Sequence, residues 1–129
     1  MLGNMDSSIL KQEGSLAQRF GEEWLQAWNQ RDLEAILGHY AEDVELTSPF
    51  AVYVLGEPSG TVIGKPNLRK YFQKALVVTR GELGLELLGV YEGVGSLVVH
   101  FRGKGATGVE CMELDGEGKV RRVRVLFRA

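Results

Sequence analysis

Beyond Gly81 the chain is a succession of strand-like runs, ELGLELLGVY, GSLVVHFRG, ATGVECMELD and KVRRVRVLF, parted by EG, GKG and DGEG. Turns this short leave no room for crossover helices, so consecutive runs pair as antiparallel neighbours. Such a sheet has an apolar face to bury and needs a second layer to bury it against.

The upstream half supplies that layer. Leu16, Phe20, Trp24, Ala27 and Trp28 recur at helical spacing. NQRD interrupts them, and Asp32 is placed to cap a second helix with the stripe Leu33, Ile36, Leu37, Tyr40. Val44 and Leu46 alternate with polar neighbours as a short strand that ends at Ser48-Pro49-Phe50. The segment 51–63 reads as a hairpin or a flexible loop around GEPSG. Pro66 then suits the first turn of a third helix, with the stripe Leu68, Tyr71, Phe72, Ala75, Leu76. The expectation is an α+β domain over residues 15–129, three helices on a curved, largely antiparallel sheet, after a loose leader at 1–14. The bend leaves an open end where a pocket forms between helices and sheet.

A chain of 129 residues suits one core. Its net charge of −2 gives no overall pull toward nucleic acid. No run reaches the roughly 18 apolar residues of a membrane span, and the N-terminus lacks an export signal. One cysteine, Cys111, points to a reducing compartment, the cytoplasm, and with two histidines offers no metal cluster. Lys119, Arg121, Arg122, Arg124 and Arg128 read as a solvated sheet face. Gly103-Lys104-Gly105-Ala106-Thr107-Gly108 has the spacing of a dinucleotide loop but runs on into strand rather than opening a helix, so it reads as a hairpin turn. No cofactor is expected.

Alternation puts Gly108, Glu110, Met112 and Leu114 on one face of their strand, and Thr107, Val109, Cys111 and Glu113 on the other. With the GKG turn centred near Lys104 and Gly105, His100 is expected roughly opposite Glu110. In a pocket, such a pair could exchange a proton. On the surface it would be an ordinary cross-strand pair, and a one-residue shift of register chooses between the two.

The stretches WLQAWNQRDLEAILGHYAEDVELTSPF, GKPNLRKYF and ELDGEGKVRRVRVLF resemble the NTF2-like superfamily, specifically its SnoaL-like polyketide cyclase and ketosteroid isomerase group. The resemblance runs from about Leu16 to the C-terminus. It implies a cone of three helices against a strongly curved mixed sheet, with a pocket at the open end and homodimers pairing through the outer sheet face. The family's tyrosine on the first helix aligns with Trp24, its catalytic base with Ser48 and its oxyanion aspartate with Glu110. Ketosteroid isomerase is a standard example of those roles. Trp24 cannot ionise, and a lone serine is no base near neutral pH, so steroid isomerisation is not implied. The resemblance puts Glu110 on the pocket face, with His100 and Ser48 as its polar partners. It makes Trp24, Tyr40, Phe50, Tyr53, Tyr71, Met112 and Phe127 candidates for an apolar lining. Two readings follow for a small hydrophobic ligand: a proton-transfer enzyme (isomerase, cyclase, dehydratase or hydrolase), or a non-catalytic binding or assembly module.

Overall fold

The computed structural model describes residues 15–81 and 83–129; the expected leader lies outside them. Helix α1 (Leu16–Asn29) begins at Ser15, whose Oγ accepts the Gln18 N–H at 3.0 Å. Its buried face is Ala17, Gly21, Trp24 and Ala27, while Leu16 stands 77% exposed. Gly21 is required for packing: a Cβ there would lie 2.5 Å from Val90 Cγ2, so a side chain would push the helix off the sheet. Asp32 caps α2 (Leu33–Leu37) by accepting the Ala35 N–H at 3.1 Å.

Strand β1 (Tyr40–Thr47) follows, with Val44 and Leu46 turned into the core. The expected loop over 51–63 is instead a helix, α3 (Pro49–Leu55), and a short strand, β2 (Thr61–Ile63). Ser48 accepts the Phe50 N–H, Pro49 occupies the first turn, and Gly56 closes the helix at φ 70°. Helix α4 (Lys65–Val78) buries Leu68, Tyr71, Phe72 and Ala75 as the stripe predicts.

The four downstream runs are β3 (Glu86–Gly93), β4 (Ser96–Gly103), β5 (Ala106–Leu114) and β6 (Val120–Phe127). The sheet order is β2-β1-β6-β5-β4-β3, parallel only between β1 and β6. The architecture is therefore α+β on a mixed, open sheet, with a fourth short helix beyond the three expected. Leu97, Val99, Phe101, Met112, Val123 and Val125 line the helix side. No helix among the described residues is long and apolar enough to cross a membrane.

Candidate functional site

Between α1, α4 and the inner faces of β4, β5 and β6 lies a cavity of about 470 Å³. That is room for a small organic molecule. Its walls are mainly aromatic and apolar, including Trp24, Trp28, Phe72, Phe101 and Val125. Its polar groups include the carboxyl of Glu110, the phenols of Tyr40 and Tyr71, and the hydroxyl of Ser48.

Glu110 is held by strand pairing between Val99 on β4 and Val125 on β6. Both valines are buried, so the carboxyl stands between hydrocarbon walls. It makes no ion pair among the described residues. Burial without a cation pushes its pKa up to about 8. At neutral pH Glu110 is thus mostly a carboxylic acid, able to donate a hydrogen bond or a proton.

Tyr40 is fully buried, and its Oη accepts the Trp24 indole N–H at 3.1 Å. The phenol keeps its own O–H to donate. Burial, then the charge of Glu110, raises its pKa well above the usual tyrosine value, and the Trp24 hydrogen bond opposes them. The Trp28 N–H also favours the phenolate, from a position short of hydrogen-bond geometry, and is left buried without a partner. Tyr71 is raised for the same two reasons, opposed by the Ser48 hydroxyl. Glu110, once ionised, therefore opposes ionisation of both phenols.

Ser48 is buried in the cavity wall, but its Oγ is engaged as the α3 cap, accepting from Phe50 at 3.1 Å. Phe50 and Phe127 line the cavity as expected. Tyr53 does not: it is 74% exposed and stacks on Phe50 from outside. Met112 is core, sealed at 1% exposure.

His100 is the larger correction. The turn is the two residues Lys104 and Gly105, with Gly105 at φ 73°, so Gly103 pairs with Ala106. That register sets Val99, not His100, opposite Glu110. His100 pairs with Val109 on the outer face, near the Tyr91 ring. The sheet itself separates the two side chains.

The mouth of the cavity includes Thr79, Arg80, Gly81, Leu83 and Leu85 on one side and Gly103, Lys104 and Ala106 on the other. The interruption after α1 holds the first side in place. Asn29 exchanges two hydrogen bonds with the Leu85 backbone, at 2.9 and 2.8 Å. Arg31, at φ 57°, donates to the carbonyls of Leu76, Thr79 and Gly81. Leu85 also packs against Gly103, 3.0 Å from where a Cβ would stand. Side chains reaching backbone carbonyls far along the chain leave no periodic signal; the aromatic stripe could have led to Trp28 and Phe72.

The outer face of the sheet has its own hollow, about 640 Å³, bounded in part by Glu45, Thr47, Tyr91, Arg122 and Arg124. Arg122 is paired with Glu45 at 3.4 Å and with Glu113 at 3.6 Å. Among the described residues no three His, Cys, Asp or Glu side chains converge as metal ligands.

Residues 22–129 match the family model of the SnoaL-like domain. A SnoaL-like protein of unknown function from Burkholderia thailandensis superposes with a TM-score of 0.83 at 36% identity, over 93% of this chain and 98% of that one. An NTF2-like protein of unknown function from Burkholderia pseudomallei gives 0.72 at 20% identity, over 88% and 92%. One from Burkholderia xenovorans gives 0.65 at 20%, over 86% and 82%, a likeness of fold alone. A comparison with curated proteins gives no match.

Proposed function

The chain belongs to the SnoaL-like family of the NTF2-like superfamily, and from that premise we propose that its cavity binds a small, largely apolar molecule and moves a proton on it through Glu110. The observation that carries this is a carboxyl, the one among the described lining residues, kept mostly neutral by its surroundings in an apolar cavity that also holds two phenols. A pKa near the working pH lets one group serve as donor in one step and acceptor in the next. The ligand's polar handle is an acceptor oxygen, because at neutral pH Glu110, Tyr40 and Tyr71 all carry a proton to offer. Tyr40, steadied by Trp24, supplies a phenol where the family's first-helix tyrosine is replaced. The family's base position is taken by Ser48, whose Oγ caps a helix, so isomerisation needing a separate carboxylate base is not proposed. Glu110 works without His100.

The test is substitution of Glu110 by Gln, which keeps shape and hydrogen bonding but removes the ionisable proton. Turnover of an enone, epoxide or β-hydroxy ketone probe should fall about 100-fold or more in the variant, with binding changed little. Unchanged turnover would remove Glu110 from the chemistry. A binding-only module is the second reading, favoured by the engagement of Ser48 as a cap. It predicts that the same probes bind and leave unaltered.

We also propose that the chain forms a homodimer through the outer sheet face. Ile63, Tyr91 and Leu126 are 62%, 59% and 51% exposed there, beside the partly buried Val98 and Val109. Exposed apolar side chains spread over one sheet face suit a self-complementary contact.

A further inference from the structure

We infer that the ligand of the inner cavity is amphipathic, with an apolar body and a carboxylate that rests at the mouth between Arg80 and Lys104. This rests on the reading of the cavity as a ligand site and adds the ligand's charge and direction. Arg80 ends the α4 side of the mouth and Lys104 tips the β4–β5 turn; both line the same cavity. Both are exposed, and neither forms an ion pair among the described residues. Arg69 is used on Glu34, Arg102 on Glu86, Arg121 and Arg122 on Glu113, and Lys119 on the Gly38 carbonyl; Arg19, Lys70, Lys74, Arg124 and Arg128 also lack an ion pair among the described residues, but none of them lines this cavity.

The polarity within the cavity sets the direction. Its one carboxyl among the described lining residues, Glu110, lies between buried valines on the sheet floor. A ligand carboxylate placed there would give up most of its hydration in a largely apolar cavity, and would meet a like charge whenever Glu110 ionises. At the mouth it meets water and two cations. Described parts of the mouth are also tied down by hydrogen bonds. Arg31 holds the carbonyls on either side of Arg80, and Asn29 holds Leu85 against the turn that carries Lys104. Two cations on pinned backbone form a selective rim, and charge complementarity at a rim favours one ligand over its uncharged analogue.

Titration calorimetry with 6-acetyl-2-naphthoate and with 2-acetylnaphthalene, which lacks only the carboxylate, tests this. The acid should bind about fivefold to tenfold tighter at low salt, and its advantage should shrink as salt is raised. In the double variant Arg80→Gln/Lys104→Gln the advantage of the acid over 2-acetylnaphthalene should vanish, with 2-acetylnaphthalene still bound. Arg80→Glu/Lys104→Glu should make the acid the weaker ligand. Equal affinities in the unmodified protein, or an advantage that survives the double variant, would overturn the inference. Binding of 2-acetylnaphthalene without a preference leaves the cavity reading standing while the charged rim falls. Binding of neither compound brings down both.

Discussion

Glu110 and Glu113 stand three residues apart on one strand, and the sheet gives them opposite surroundings. Glu113 faces outward, where Arg121 and Arg122 approach at 3.4 and 3.6 Å in water. Glu110 faces inward between Val99 and Val125 and meets no cation among the described residues. The first is an ordinary surface anion. The second is an acid with a pKa near 8. The residue type is the same, so the difference comes from the strand's alternation and from what each face packs against. The raised pKa of Glu110 needs no neighbouring charge, only an apolar wall.

The sharpest way to break the contrast is to place the same acid on both faces of one neighbouring strand. Val99→Asp puts a carboxyl at a fully buried position and should cost about 4 kcal/mol or prevent folding. Val98→Asp, its outward neighbour, should cost about 1 kcal/mol or less in the monomer. It should also dissociate the proposed dimer, so sedimentation equilibrium and urea unfolding together separate the two effects. Near-equal losses of monomer stability would erase the distinction between the faces.

A smaller effect comes from pH. The Glu110 pKa is raised in the folded chain, from 4.5 to about 8. Below about pH 4.5 both states hold the proton and this group adds no pH dependence. Between there and about pH 8 the unfolded chain has released it while the folded chain retains it, so stability falls as pH rises. Above about pH 8 the loss levels off at a few kcal/mol. Unfolding curves of the Glu110→Gln variant should lack this slope, and those of Glu113→Gln should keep it. A slope that persists without the Glu110 carboxyl would assign it elsewhere.

The alternation that separates the two glutamates is readable from Gly108-Val109-Glu110-Cys111-Met112-Glu113 alone, as are the stripes of α1 and α4. Long periodic segments state their own faces. The partner across the strand is another matter. His100 falls opposite Glu110 or beside it depending on whether the turn holds two residues or three, and glycines at 103 and 105 allow either. Helix α3 was obscured for a different reason. At seven residues it is too short to show a period, although Ser48-Pro49 is a capping signal. Tyr53 was misplaced with it, because the face of a helix cannot be assigned before the helix is recognised. The mouth was invisible, since Asn29 and Arg31 act on backbone groups of residues 76–85, whatever side chains those carry.

The smallest effect sharpens the contrast most. His100 neighbours Val99 in sequence and points away from the cavity, paired with Val109 and beside Tyr91. A histidine working with Glu110 would relay its proton, and removing it would slow the reaction about 100-fold or more. An outward histidine relays nothing, because a β-sheet lies between the two groups. His100→Gln should therefore leave kcat/KM within about twofold, and its pH profile should still follow Glu110. A loss of about 100-fold in His100→Gln, with stability unchanged, would mean that proton traffic crosses the sheet. The division of labour between its two faces would then be wrong.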